Sequence, residues 1–333
     1  MSRKTRKLKN KLLVPFAWFG IGLGLCIMPW LPRRALFGLC DFLSALMYFL
    51  DRRGKRRALR NIRIVRHKNA DICSGRIYAE VAFDPDAAKY DPTSTEAKVI
   101  RRSYRSMCRT VGYAFWTCFR AKARCVETGI MCEGGRRFLA VNRPAVTVSG
   151  HIGCWEILSQ LAFLEGHRMM SVAKDIGTGG MTALLMRARR SIGQEIVPAE
   201  GAFKQLMQGL RDGKSLGLLV DQSVSPKRGG IWVRFLGLPI AVSAAPAFFA
   251  AKGRVPIVVA WSRPLRDGRY RCEIVDTITA GEARDIWRTT QRIAADLERI
   301  VRRHPSCWVL NYNFFSNCPF PKDLQTLKER DLL

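Results

Sequence analysis

Short apolar runs alternate with amphipathic stretches along the second half of the chain. Residues 145–148, 169–173, 196–197, 216–220 and 255–261 read as buried strands. Between and after them, residues 155–165, 202–210, 242–251 and 285–303 carry helical periodicity. The last stretch places Ile286, Ile293, Leu297 and Ile300 on one face. A further helix is predicted over 182–190, ending in Arg187, Arg189 and Arg190. Upstream, residues 95–121 set Val99, Tyr104, Met107, Val111, Ala114 and Phe115 against a separate line of Arg101, Arg102, Arg105 and Arg109. The arginine line is the expected solvated face of such a helix, and it also has the chemistry to touch phosphates. Strand–helix alternation predicts an α/β fold: a single mixed, largely parallel sheet flanked by helices. That domain is expected over 61–333, with 66–96 as a polar, turn-rich connection and 1–60 as a separate amino-terminal segment.

The amino-terminal segment has a different pattern. Residues 12–31 carry no charge, a length that can cross a hydrocarbon core as a helix. Basic residues precede the run, and Pro32-Arg33-Arg34 after it makes a poor cleavage site, so an uncleaved membrane anchor is expected. Residues 35–50, interrupted by Asp41, suit an interfacial or re-entrant helix. Arg52, Arg53, Lys55, Arg56, Arg57 and Arg60 follow. Basic clusters on both sides leave a single span, a hairpin and a partly inserted anchor all open.

Charge narrows the partners. The formal net charge is +29. Residues 1–60 hold 14 Lys/Arg against Asp41 and Asp51, and the rest of the excess is spread without one dominant tract. That distribution favours a surface apposed to anionic membrane lipid over a nucleic-acid arm, and no basic tract interleaved with stacking aromatics argues for nucleic acid. The 11 cysteines are scattered, odd in number and lack a Cys-x2-Cys pair, which points to a reducing compartment and to no metal site.

Candidate chemistry centres on His151, between the strand at 145–148 and the helix at 155–165. Glu156 lies in the first turn of that helix. On one continuous helix a spacing of five would set the two side chains about 140° apart. With His151 ahead of the helix they can meet, and a carboxylate on one imidazole nitrogen frees the other to take a proton. The strand at 216–220 ends in Asp221, so parallel strands would put Asp221 and His151 on the same rim, where open α/β sheets bind ligands. His167 and His304 fall at predicted helix ends, and His67 in the basic connection. The loose Gly177-Thr178-Gly179-Gly180 lacks the spacing of a nucleotide loop. Cys154 offers a rival design, a cysteine nucleophile beside the same histidine.

Gly150-His151-Ile152-Gly153-Cys154-Trp155-Glu156 resembles the signature of the bacterial lipid A biosynthesis (lauroyl/myristoyl) acyltransferases. Arg57 to Ile62, Arg189-Arg190-Ser191-Ile192-Gly193, Asp221-Gln222, Gly230 to Pro239 and His304 to Trp308 are similar to further family blocks in the same order. The resemblance covers roughly 50–315. Leu236 stands where the family usually has a second aromatic residue, and Val309 to Asn313 departs from its usual continuation. The resemblance implies a membrane-bound O-acyltransferase of the bacterial inner membrane, its catalytic domain facing the cytoplasm. His151 would be the general base and Glu156 its orienting carboxylate. Arg189, with Arg190 as the neighbouring alternative, or backbone N–H groups of Gly153 or Cys154, would meet the developing oxyanion. Asp221 would support His151 or an arginine, and Lys174 would meet a lipid phosphate. No bound cofactor or metal is implied. The co-substrate would be a thioester of acyl carrier protein, itself acidic, or of coenzyme A, and the acceptor a lipid A precursor. Acylation of another glycolipid or phospholipid, and a non-catalytic binder of anionic lipid, are the alternatives.

Overall fold

The computed structural model describes residues 27–66, 93–117, 120–173, 189–190, 193–198, 200–315 and 324–331. Its centre is a seven-stranded sheet in the order β1-β9-β8-β2-β5-β3-β4. These are β1 (Gly129–Met131), β2 (Val146–Ser149), β3 (Met169–Ala173), β4 (Gln194–Pro198), β5 (Ser215–Leu219), β8 (Ile257–Pro264) and β9 (Tyr270–Ile278). All pairings are parallel except β8 with β9. Strands β6 (Gly230–Phe235) and β7 (Leu238–Ser243) form a separate antiparallel hairpin. Its two-residue turn holds Leu236 at φ 55° and Gly237 at φ 80°, the left-handed pair a tight hairpin requires. Leu236 tolerates that backbone because it is fully buried and its N–H donates to Glu298 Oε2 at 2.6 Å.

Ten α-helices are described: α1 (Arg33–Leu50), α2 (Arg52–Arg66), α3 (Thr95–Trp116), α4 (Ala121–Thr128), α5 (Glu133–Val141), α6 (Trp155–Leu164), α7 (Ala202–Arg211), α8 (Ala245–Gly253), α9 (Ile286–Arg303) and α10 (Leu324–Glu329). The sheet is covered on both faces, which explains strands that read as continuous apolar runs. One layer packs Ile62, Ile100, Leu206, Phe249, Ile293 and Leu297 against Val146, Val148 and Leu216. The other packs Phe37, Tyr113, Leu139 and Ile157 against Met169, Ala260 and Tyr270. Helix α9 begins where Asp285 accepts from the Arg288 N–H, a side-chain cap, and buries the face its periodicity predicts.

The α/β expectation holds, with corrections of detail. Val242, expected to open a helix, lies in β7; Ala244 and Pro246 start the helix later, and Pro suits its first turn. Residues 230–235, part of the block that resembles the family, form one strand of the hairpin. Helix α2 runs unbroken through residue 60, and Ala58 and Leu59 join Ile62 in the main core. The expected anchor at 12–31 falls outside the described residues up to 26, and its end forms a 3-10 turn, Met28–Trp30. Among the described residues, no helix is long and apolar enough to cross a membrane. Of the expected connection at 66–96, residues 67–92 lie outside the described residues, while Arg66 ends α2 and Thr95 and Glu96 already belong to α3. The glycine-rich 177–180 and most of the helix at 182–190 also lie outside the described residues.

Candidate active site

Strands β2 and β5 are parallel neighbours with Ser149 opposite Leu219. His151 and Asp221 each follow two residues later, so the register delivers both to one spot at the carboxyl rim. There His151 Nδ1 lies 2.8 Å from Asp221 Oδ1, and the His151 backbone N–H donates to Asp221 Oδ2 at 2.9 Å. Trp308 Nε1 donates to the same Oδ2 at 2.9 Å. The Asp221 side chain is fully buried while His151 is 24% exposed. An acceptor-only carboxylate receiving these bonds requires the Nδ1–H tautomer, which leaves Nε2 as the basic nitrogen. Nε2 makes no hydrogen bond among the described residues. Trp155 walls the ring edge-on, with centroids 5.1 Å apart.

The electrostatics follow from this packing. Burial alone would lower the His151 pKa, but the Asp221 charge and hydrogen bond outweigh it, Glu156 adds to them, and the net direction is upward. Burial likewise pushes Asp221 up, but the imidazolium and the converging donors hold it below the ordinary aspartate range. The pair therefore favours imidazolium beside carboxylate, the state a general base must reach after taking a proton.

The carboxylate that orients His151 is Asp221, a correction to the expectation for Glu156. Glu156, in the first turn of α6, instead pairs with Arg189 through Nη2 at 2.6 Å and Nε at 3.2 Å. That bidentate pair is mostly buried, with side chains 21% and 9% exposed. Glu156's charge raises the Arg189 pKa further. Arg189 Nη1 is left without a protein partner among the described residues. Arg190 is exposed, and Lys174 lies outside the described residues.

Gly153 is also corrected as an oxyanion donor, because its N–H donates to the Cys307 carbonyl at 2.9 Å. Its role is geometric. It has φ +64°, and a Cβ there would stand 1.9 Å from the Ser262 carbonyl oxygen. Only glycine allows that left-handed turn and close approach together. Thr110 donates to the Gly153 carbonyl at 3.0 Å, and Ser262 to that of Cys154 at 2.7 Å. The loop is thus pinned from several elements. Cys154 itself is fully buried, and burial followed by the Glu156 charge drives its thiol far above the ordinary range. A neutral, enclosed thiol is a poor nucleophile.

Several supporting groups have no role assigned from the sequence, although Asn61 and Trp308 lie in blocks that resemble the family. Trp308 reaches Asp221 from 87 residues away. Asn61 donates to the Leu310 and Tyr312 carbonyls, and the Ser103 hydroxyl receives the Leu310 N–H at 3.1 Å and donates to the Trp308 carbonyl. The available hint was a polar Asn61 beside Leu59 and Ile62 on an otherwise apolar helix face. His167 is a buried clamp between the Ser215 hydroxyl and the Leu139 carbonyl, and His304 caps α9 beside Trp261.

An imidazole held by a buried carboxylate on one side and without a partner on the other among the described residues, at the carboxyl rim of an α/β sheet, has the form of a general-base site that activates a hydroxyl. The comparison with protein families makes the class specific. The model of the bacterial lipid A biosynthesis acyltransferases matches residues 91–315, more than half of the 333-residue chain, and the protein belongs to that family. It is an acyltransferase. No curated protein matches the chain.

Proposed function

We propose that this protein moves a fatty acyl chain from a thioester of acyl carrier protein or coenzyme A to a hydroxyl of a lipid A precursor at a membrane surface. The observation that carries the reading is the His151–Asp221 pair at the sheet rim within the matched region. His151 Nε2 takes the acceptor hydroxyl's proton as the oxygen attacks the thioester carbonyl carbon. Asp221 stabilises the imidazolium. The tetrahedral oxyanion is met by Arg189, whose guanidinium is fixed in place by Glu156 and whose Nη1 has no partner among the described residues. When the C–S bond breaks, the departing thiolate recovers the proton from Nε2. No covalent acyl-enzyme is needed.

The surface supports apposition to anionic lipid. Helix α1 leaves Phe42, Leu46, Phe49 and Leu50 exposed, and α2 opens immediately afterwards with exposed Arg52, Arg53, Arg56 and Arg57. An apolar face flanked by basic residues suits the headgroup boundary of a bilayer. We place the protein at the bacterial inner membrane, its catalytic rim towards the cytoplasm.

The test is acyl transfer by detergent-solubilised protein supplied with each thioester and a lipid A precursor. Transfer is expected from wild type and should vanish in His151→Ala. Transfer to a different glycolipid only would move the acceptor and keep the mechanism. Folded wild-type protein that neither transfers nor hydrolyses either thioester would remove the reading.

A further inference from the structure

A second site lies beside the first. Helix α3 carries Arg102, Arg105 and Arg109 at spacings of three and four, which puts them on one face. With Arg269, from the turn between β8 and β9, they line a cavity of about 160 Å³. Phe37 and Tyr270, both largely buried, contribute its apolar wall. Cys307 forms another part of the wall. Its carbonyl accepts the Gly153 N–H, and two residues on the Val309 N–H donates to the His151 carbonyl. The cavity therefore shares the 307–309 segment with the catalytic loop.

The charge in this cavity is not balanced. Arg109 grips Asp41 at 2.8 and 2.7 Å, and Arg105 approaches the same carboxylate at 3.4 Å. Arg269 pairs with Asp267 at 2.7 Å. Arg102 has no partner among the described residues and stands exposed at the mouth. Four guanidiniums thus face two carboxylates, an excess of two positive charges. Asp41 also fixes the Arg109 fork in place, so less rotamer freedom is lost there when an anion arrives. Guanidinium forks match phosphate oxygens in pairs, and an excess of two fits a phosphate dianion better than a single carboxylate.

We propose that this arginine-lined cavity binds a phosphate group carried by a substrate of the reaction, anchoring that substrate while its reactive end reaches His151. Only the identity of the phosphate carrier rests on the acyl-transfer reading. Two substrates can bring the group: the phosphorylated sugar lipid and the phosphopantetheine arm of the thioester.

The test compares wild type with Arg102→Gln and Arg269→Gln in equilibrium binding of four probes. These are 4′-phosphopantetheine, pantetheine, detergent-dispersed bisphosphorylated lipid A precursor and the same lipid after phosphatase treatment. Arg211→Gln, on the exposed end of α7, controls for general charge. Both cavity variants should bind one phosphorylated probe about 10-fold more weakly, the loss typical of one charge-assisted contact. Neither should differ from wild type on the dephosphorylated partner, and Arg211→Gln should match wild type throughout. The probe that responds identifies the source. Unchanged affinity of both variants for both phosphorylated probes, or an equal loss in Arg211→Gln, would overturn the site. Arg102-dependent phosphate binding by a protein without acyl transfer would keep the site and remove the acyl-transfer reading. Acyl transfer indifferent to Arg102 and Arg269, with a KM within twofold of wild type for both substrates, would do the reverse.

Discussion

At the scale of single residues, the decisive contact is the one between Asp221 and His151. Asp221 sets the tautomer, lifts the His151 pKa and holds the ring against Trp155. Asp221→Asn should therefore act in two separable ways. An asparagine amide facing Nδ1 favours the wrong tautomer, and kcat should fall by about 10²- to 10⁴-fold. The sign of the pH effect follows from the causes of the shift. In wild type, activity should rise as pH climbs through the raised His151 pKa, because only the neutral ring accepts a proton. Without the Asp221 charge, burial is the larger remaining influence and lowers that pKa, so the residual activity should reach its plateau at lower pH. A pH–kcat/KM profile of both proteins checks this. An acid limb that stays in place would mean that another group titrates there.

The same residue shows what was legible beforehand. Asp221 and His151 were placed on one rim because two apolar runs each end in a polar group, and parallel pairing does the rest. Their direct bond was not legible, because it depends on β2 and β5 being adjacent with Ser149 opposite Leu219. Strand order is a property of the whole sheet. Glu156 misled for the complementary reason: it is near in sequence, but α6 turns it towards Arg189.

At the scale of elements, the joint between β9 and α9 contains a pair of interacting carboxylates, Asp276 and Asp296. Arg292 of α9 holds Asp276 of β9 through both oxygens, and Arg299 holds Asp296 Oδ1. Asp296 Oδ2 is buried with no donor directed at it. A proton on that oxygen, shared with Asp276, resolves the orphan. Burial, then the hydrogen bond and charge of Asp276, raise the Asp296 pKa to about 7, while Asp276 is lowered. The folded state thus holds a proton that the unfolded chain releases near pH 4. Stability from Asp296 is complete below that value and is lost as pH rises towards 7. The opposing contribution of Asp276 disappears only below the ordinary carboxylate range, outside this window. Asp296→Asn supplies an N–H in place of the proton and retains an oxygen for Arg299. Its Tm should exceed that of wild type at pH 8 by a few degrees, with a flatter Tm profile between pH 5 and 7. Parallel Tm profiles would mean that Asp296 is ionised throughout. Helix α9 itself was legible from its periodic apolar face. This joint was not, because β9 carries alternating polar residues that do not form an apolar run.

At the scale of the whole molecule, α1 presents exposed apolar residues and α2 and the arginine cavity present positive charge, the chemistry that the proposed anionic and amphiphilic partners require. Helix α1 buries Leu36, Phe37 and Cys40 against the body of the protein, so its outward apolar residues are what the fold leaves over. Phe42 and Phe49 are 67% and 75% exposed, each carrying about 1.5–3 kcal/mol of potential burial energy. A lipid surface can take up that energy while the basic start of α2 faces the headgroups. The expectation is specific to the far end of α1, away from the apolar chain that precedes Ile27. A Phe49→Trp substitution should add a fluorescence component quenched by brominated lipid in anionic vesicles. Adding Phe42→Ser and Leu46→Ser should remove that quenching, even if residues 1–26 keep the protein on the vesicle. High salt should weaken the quenching only in part, because the charge term is screened and the apolar term is not. Equal quenching with and without the serines would show that α1 does not enter the lipid, and the apposition would then rest on charge and the preceding residues alone.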